Sequence, residues 1–203
     1  MIATAADASA TAGGLAMNKV ILFVQVSLDG FFEGPNKELD WNMLDDELHA
    51  HVNHELKAMG AFLSGRVTYE LMAAFWPTAD ADPASPPFVK EFAPIWREMP
   101  KVVYSKTLTA AGWNTTIARD VVREEVEGLK RQARGDLVVG GGELGAAFMA
   151  QDLIDEYWIY VHPIRIGEGN RLFPPSKEKV PLHLGEARTF GNGVVLLRYE
   201  RRR

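Results

Sequence analysis

The chain has 203 residues, of which 47% are hydrophobic and 24% are charged, a balance typical of one globular domain with a well-filled core. Its formal net charge of −5 argues against a broad nucleic-acid-binding surface, and no apolar run reaches the length of a membrane span. The absence of cysteine excludes disulfides, thiolate metal sites and a cysteine nucleophile, and it fits a cytoplasmic protein.

The first sixteen residues differ in composition from the rest of the chain. Residues 1–16 are rich in Ala, Thr and Gly and lack the basic and continuous apolar regions of a secretory signal. We expect a disordered leader there, or an upstream start that precedes a true start at Met17. Residues 17–203 are expected to form a single domain.

From Met17 onward, short apolar runs alternate with helical patterns. The predicted strands are residues 20–28, 61–64, 101–105, 137–139, 155–166, 183–190 and 194–201. The predicted helices are residues 45–59, about 65–75, a short segment before Pro100, 123–134 and 143–151, with a loop over 76–87. The Asn-Gly pair at 192–193 predicts a hairpin. Together these elements predict an α/β fold with a mostly parallel sheet and an antiparallel C-terminal hairpin.

Three glycines stand between a predicted strand and a predicted helix. Gly140, Gly141 and Gly142 let a ligand approach the backbone, and the helix start beyond them offers unpaired N–H groups to a phosphate. The alternative is a glycine turn used only for tight packing. A match to G-x-G-x-x-G is weak evidence for a Rossmann fingerprint, because residues 160–163 lack the acidic residue expected at that distance.

A second candidate phosphate site follows another strand. Gly65 ends that strand, and Arg66 and Thr68 begin the next helix, so that a guanidinium and a hydroxyl lie near one point. Ser105 ends the following strand and adds a hydroxyl. This chemistry suits a ribose 2′-phosphate and favours NADPH over NADH. The alternative is that Thr68 only caps its helix and Arg66 is a surface residue.

The order of the short motifs resembles the dihydrofolate-reductase-like superfamily, and most of all its riboflavin-biosynthesis reductase branch, the RibD C-terminal domain. The motifs are residues 26–30 (VSLDG), 40–41 (DW), 63–68 (LSGRVT), 138–142 (VVGGG), 163–169 (PIRIGEG) and 172–174 (LFP). The resemblance covers about residues 18–201. It implies a three-layer fold with helices on both faces of the sheet, and an NADPH-dependent reductase.

The resemblance also implies roles for individual residues. Gly65, Arg66, Thr68 and Ser105 would hold the adenosine phosphate side of NADPH. The backbone at 140–144, including Glu143 and Leu144, would contact the pyrophosphate and the nicotinamide ribose. The loop over 29–41 would close over the nicotinamide, and the substrate would lie beside the strand around residues 160–162.

Several residues are candidates for contact with the substrate. Asp46 stands where dihydrofolate reductase has its pterin-binding carboxylate and is the candidate catalytic residue; the alternative is a first-turn acid that complements the helix dipole. Gln25, on an otherwise apolar strand, is expected to bind a ring amide or a neighbouring backbone group. Asp29 is either a substrate ligand or a turn residue. Trp41 and Tyr160 complete the candidate substrate site.

The expected function is therefore reduction of a small nitrogen heterocycle by NADPH, with the pyrimidine of riboflavin synthesis as leading substrate. Dihydrofolate reduction and non-catalytic binding of a nucleotide or pterin remain as alternatives. Phe23 stands where the riboflavin branch often has a lysine. We expect no bound metal, because His49, His51 and His54 do not follow a metal-binding order. The expected partners are a small-molecule substrate and a second copy of the chain, but neither nucleic acid nor membrane.

Overall fold

The structure, a computed structural model, describes residues 17–202, so the predicted leader over 1–16 lies outside the described residues. The strands of this part are β1 Val20–Ser27, β2 Phe31–Glu33, β3 Ala61–Gly65, β4 Lys101–Tyr104, β5 Thr115–Ala118, β6 Leu137–Gly140, β7 Glu156–His162, β8 Asn170–Arg171, β9 Leu182–Thr189 and β10 Val195–Arg201. The α-helices are α1 Asp46–Lys57, α2 Arg66–Phe75, α3 Pro87–Glu98, α4 Arg123–Gln132 and α5 Gly142–Ala150. A 3-10 turn, Trp76–Thr78, follows α2.

The strands form one large sheet and one small one. The large sheet has eight strands in the order β5-β4-β3-β6-β1-β7-β10-β9, and β2 pairs with β8 separately. The six strands from β5 to β7 run parallel, whereas β10 is antiparallel to both β7 and β9. The predicted mostly parallel sheet with an antiparallel C-terminal hairpin is confirmed.

Helices cover both faces of the large sheet because its central strands are apolar on both sides. In β1, Leu22 and Val24 belong to a core that includes Val126 of α4 and Phe148 of α5. Ile21, which points to the other face, packs in a core with residues of α1. A third core joins α1, α2 and α3 to β4 and β6. This three-layer arrangement is the one that the family resemblance implied.

The register of β3 and β6 aligns two glycine-containing turns. Ser64 of β3 lies opposite Gly140 of β6, so Gly65 and Gly141 follow side by side at the carboxyl edge of the sheet. From these glycines, α2 begins on one face of the sheet and α5 on the other. A crevice opens where helices leave adjacent parallel strands toward opposite faces, and this is the usual ligand site of open α/β sheets.

Some predicted boundaries were wrong. The strand predicted over 155–166 ends at His162, because Pro163 has no N–H to continue the ladder and Ile164 N–H instead bonds to the His162 carbonyl oxygen at 2.8 Å. The short helix predicted before Pro100 is the twelve-residue α3, which begins with Pro87. The edge strand β5 and the small β2–β8 sheet were not predicted.

Candidate functional site

A cavity of about 750 Å³ lies at the carboxyl edge of the sheet, beside β1, β3, β4 and β6. Its volume is within the range of small-molecule and cofactor sites. Residues from all the predicted cofactor segments line it: Gly65, Arg66, Thr68, Ser105, Gly140, Gly141, Gly142, Glu143 and Leu144. The two glycine motifs, which are about seventy-five residues apart in the chain, therefore border one space.

The turn between β6 and α5 requires glycine at two positions. Gly141 has φ +94° and ψ 134°, a conformation that side chains rarely adopt. A β-carbon on Gly142 would lie 2.3 Å from the ring of Phe32, so the two residues are packed in direct contact. Beyond this turn, the first N–H groups of α5 have no helical acceptor, and the helix dipole places partial positive charge beside the cavity.

The start of α2 faces this glycine turn. A β-carbon on Gly141 would lie 3.0 Å from the hydroxyl oxygen of Thr68, so the two helix starts lie next to each other. Arg66 lines the cavity and forms an ion pair with Glu70 at 2.7 Å, with nearly half of its side chain exposed. The guanidinium therefore retains donors that can turn toward an anionic ligand in the cavity.

The loop after β4 and the residue after β5 supply further cations. The Ser105 hydroxyl oxygen accepts the N–H of Thr107 at 3.2 Å and that of Leu108 at 2.9 Å, which fixes the turn beside the cavity. Arg119 donates to the carbonyl oxygens of Ser105 and Leu108, and both Arg119 and Lys106 line the cavity. Lys106 and Arg119 could not be predicted from the sequence, because only the fold brings the segments after β4 and β5 to the same cavity as Arg66.

The β2 segment covers one side of the cavity. Phe32 packs on Gly142, and the Lys37 ammonium lies 3.5 Å from the Glu143 carboxylate at the start of α5. Both residues of this ion pair line the cavity, as do Phe32 and Leu39. The loop predicted to close over a nicotinamide therefore lies against the glycine turn in this structure.

Gln25 is the one predicted substrate residue among the cavity-lining residues. It lies on β1 two residues beyond Phe23, which is aligned with Gly140 of β6. Its side-chain oxygen forms a short hydrogen bond with Nε2 of His162, which is fully buried on β7. The sequence contained a signal for this pair, since Gln25 and His162 are polar residues on two largely apolar strands, but their pairing depends on the register.

Asp29 and Trp41 take up structural positions outside the cavity lining. The Asp29 carboxylate accepts the Ser27 hydroxyl at 2.7 Å and the N–H of Gly167 at 2.8 Å. It thereby connects the end of β1 to the loop after β7. Trp41 is buried, donates its indole N–H to the Glu38 carbonyl oxygen at 3.2 Å and lies edge-on to His162.

Tyr160 and Asp46 also lie outside the cavity lining. Tyr160 is completely buried in the core beside α1, and burial raises the pKa of its phenol above the usual range. Asp46 is exposed in the first turn of α1, next to Asp45, whose carboxylate caps the helix by accepting the Leu48 N–H at 2.9 Å. These positions bring neither side chain to the cavity.

Residues 18–196 match the family model described as the RibD C-terminal domain. The chain belongs to this family. It is 31% identical over 186 residues to the uncharacterized protein YyaP of Bacillus subtilis (strain 168), an alignment that covers 91% of this chain and 96% of YyaP.

Solved structures show the same fold. A putative riboflavin biosynthesis protein from Shewanella sp. PV-4 matches with a TM-score of 0.69 and 21% identity, over 91% of this chain and 99% of that one. The diaminohydroxyphosphoribosylaminopyrimidine deaminase/5-amino-6-(5-phosphoribosylamino)uracil reductase of Thermotoga maritima matches with a TM-score of 0.64 and 14% identity, over 92% of this chain and 57% of that one.

This RibD C-terminal domain has no side-chain cluster suited to a metal ion among residues 17–202. The same residues include no helix long and apolar enough to cross a bilayer. Arg165 and Arg171, the basic residues nearest the end of β7, do not line the cavity. Four cationic side chains line the cavity instead: Lys37 after β2, Arg66 at the start of α2, Lys106 after β4 and Arg119 after β5.

Proposed function

We propose that the protein is an NADPH-dependent reductase that transfers hydride to a small nitrogen heterocycle. The leading substrate is 5-amino-6-(5-phosphoribosylamino)uracil, on which the similar Thermotoga maritima protein acts by name. The observation that carries this proposal is the meeting of two helix starts at one cavity. Gly141 and Thr68 lie next to each other there, at the crevice between β3 and β6 where the sheet's helices diverge.

The residues present fit the two phosphate-bearing parts of NADPH. The N–H groups at the start of α5 and the adjacent Gly141 suit a pyrophosphate, because they combine unpaired donors with a close backbone approach. Arg66, Thr68 and Lys106 combine two cations and a hydroxyl at the neighbouring helix start, which suits a ribose 2′-phosphate. NADPH supplies the hydride when it is bound.

The protein itself contributes orientation and exclusion of water. Phe23, Phe32, Leu39 and Met72 give the cavity apolar walls beside Gln25. NADPH held there would supply a hydride to an electrophilic C=O or C=N carbon of the substrate, the heteroatom would take a proton from solvent, and NADP⁺ would be the second product. Holding the two reactants close together supplies most of the rate enhancement that this chemistry needs.

Turnover tests the proposal directly. The protein is incubated with NADPH and 5-amino-6-(5-phosphoribosylamino)uracil, and separately with dihydrofolate, while nicotinamide absorbance is followed. We expect substrate-dependent loss of absorbance with the pyrimidine. We also expect Thr68→Val to raise the KM for NADPH, whereas Thr109→Val, at an exposed position outside the cavity lining, leaves it unchanged.

The other outcomes separate the alternative functions. If dihydrofolate oxidises NADPH and the pyrimidine does not, the substrate is a pterin and the protein is a dihydrofolate reductase. Tight binding of NADPH without turnover of either compound would favour a nucleotide-binding protein. A protein that neither binds nor oxidises NADPH contradicts the proposal.

A further inference from the structure

A buried histidine fixes the side chain of Gln25. His162 is completely buried at the end of β7, with its ring edge-on to Trp41. Its Nδ1 accepts the backbone N–H of Met43 at 3.0 Å, so this nitrogen carries no proton. In the neutral ring the proton is therefore on Nε2, which donates to Oε1 of Gln25.

The charge state of His162 supports this assignment. Burial lowers the pKa of His162 to about 4, so the ring is neutral at physiological pH. A protonated ring would carry a hydrogen on Nδ1, directly facing the N–H of Met43. The backbone contact thus independently favours the same neutral tautomer.

This tautomer determines which end of the Gln25 amide remains available. Because Oε1 accepts from His162, the NH₂ group is the part of the amide that is free to meet a ligand. Gln25 is half-buried and lines the cavity, and the neighbouring wall contains Phe23, Phe32 and Leu39. In such apolar surroundings an unpaired hydrogen-bond donor costs free energy. A ligand with an acceptor that pairs with this donor therefore binds considerably more tightly.

Each of the three carboxylates that line the cavity contacts a partner other than Gln25. Glu33 accepts from the amide of Asn170 at 2.6 Å, Glu143 pairs with Lys37 at 3.5 Å, and Asp120 lies 3.8 Å from Lys106. These contacts leave the Gln25 amide N–H groups without a carboxylate partner, so Gln25 itself presents a hydrogen-bond donor to the cavity.

We propose that Gln25 donates an amide N–H to a carbonyl oxygen of the substrate and that His162 is a positioning residue that holds the amide in this orientation. The site thus selects an oxo-substituted heterocycle over the corresponding amino-substituted one. The inference rests on the proposed function only in placing the substrate beside Gln25. A mismatched amino group would lower affinity by roughly ten- to a hundredfold, since it leaves the donor unpaired.

Two ligands of the same shape and opposite hydrogen-bonding polarity test the proposal. Pteridine-2,4-dione presents carbonyl oxygens where 2,4-diaminopteridine presents amino groups. Calorimetric titration of the full chain should show at least tenfold tighter binding of the dione. Gln25→Glu replaces the donor with an acceptor and should reverse the preference, whereas Gln132→Glu, an exposed position on α4, should not change it.

Two variants of His162 test its positioning role. His162→Gln keeps an N–H that can donate to Gln25, so the preference for the dione should persist. His162→Leu removes that donor and lets the amide rotate, so the two ligands should bind about equally. A purely structural role would instead weaken both ligands by the same factor and leave their ratio unchanged.

The outcomes also distinguish this proposal from the reductase proposal. A wild-type protein that binds the diamine as tightly as the dione, or binds neither, overturns the role of Gln25. Parallel titration with NADPH is an independent measurement on the same samples. A preference for the dione without NADPH binding would keep the Gln25 assignment and contradict the reductase.

Discussion

At the scale of single residues, burial of the His162 imidazole makes the stability of the folded protein depend on pH. Its pKa falls from 6.5 to about 4 on burial, so the unfolded chain binds a proton in this range that the folded chain does not. The free energy of unfolding therefore has its full value above pH 6.5. It falls by up to about 3 kcal/mol as the pH drops from 6.5 to 4.

A comparison of two proteins isolates this contribution. The free energy of unfolding is measured by urea denaturation between pH 7 and pH 4 for the wild type and for His162→Gln, which cannot titrate. We expect the wild type to lose more stability than the variant over this range. Parallel pH profiles for the two proteins would show that His162 does not stay neutral in the folded state.

Gly141 has a backbone conformation that only glycine adopts without strain. At φ +94°, Gly141→Ala should lower the free energy of unfolding by about 1–3 kcal/mol. Gly140→Ala is the matched control, because a β-carbon there meets no atom within 4 Å and its φ is outside the strained range. Equal stability of the two variants, measured by urea denaturation, would contradict the strained turn.

At the scale of elements, the start of α1 contains two adjacent carboxylates with different expected roles: Asp45 caps the helix, and Asp46 is the candidate catalytic residue. Asp45→Ala removes the carboxylate that accepts the Leu48 N–H and should cost about 1 kcal/mol in thermal or urea denaturation. Asp46→Asn should cost less, because Asp46 is exposed and its effect on stability is that of a first-turn acid on the helix dipole.

The same pair of variants addresses the catalytic role of Asp46. Since Asp46 does not line the cavity, we expect Asp46→Asn to keep NADPH-dependent turnover. Loss of turnover with unchanged stability would instead place the Asp46 carboxylate at the substrate, as the family resemblance predicted.

The sequence predicted those elements whose pattern is strong within a short window. The apolar run of β1, the helical spacing of α1 and the Asn-Gly hairpin needed no tertiary information. By contrast, β5 has only four residues, with no fully buried one, and β2 and β8 exist only as each other's partners. Such elements depend on pairing between distant segments, which a local pattern does not contain.

At the scale of the whole molecule, the sequence predicted the fold and placed the residues of two distant glycine-containing turns at one edge, where they line one cavity. This was possible because parallel strands bring their carboxyl ends together, so that residues in two loops could be assigned to one edge. The link between Gln25 and His162 could not be predicted, since it depends on the register of β1 with β7. The Gln25 side of the cavity therefore could not be predicted from the sequence alone.

Assembly is also a property of the whole molecule. The strand β9, the first of the C-terminal hairpin, is an edge strand of the large sheet, so its outer backbone groups can pair with another chain, and its Leu184 side chain is exposed. We predict a homodimer, with twice the monomer mass in light scattering after size exclusion. Leu184→Lys should shift the mass toward the monomer, and a monomeric wild type would contradict this prediction.

The most direct test of the account is a fluorescence titration with NADPH and NADH. We predict tight NADPH binding that Arg66→Ala weakens by roughly ten- to a hundredfold, through loss of charge-assisted hydrogen bonds to the 2′-phosphate. NADH should bind poorly to both proteins, and Arg131→Ala, at an exposed site on α4, should behave like the wild type. No binding of either dinucleotide, or NADPH binding that Arg66→Ala leaves unchanged, would contradict the assignment of the cavity to NADPH.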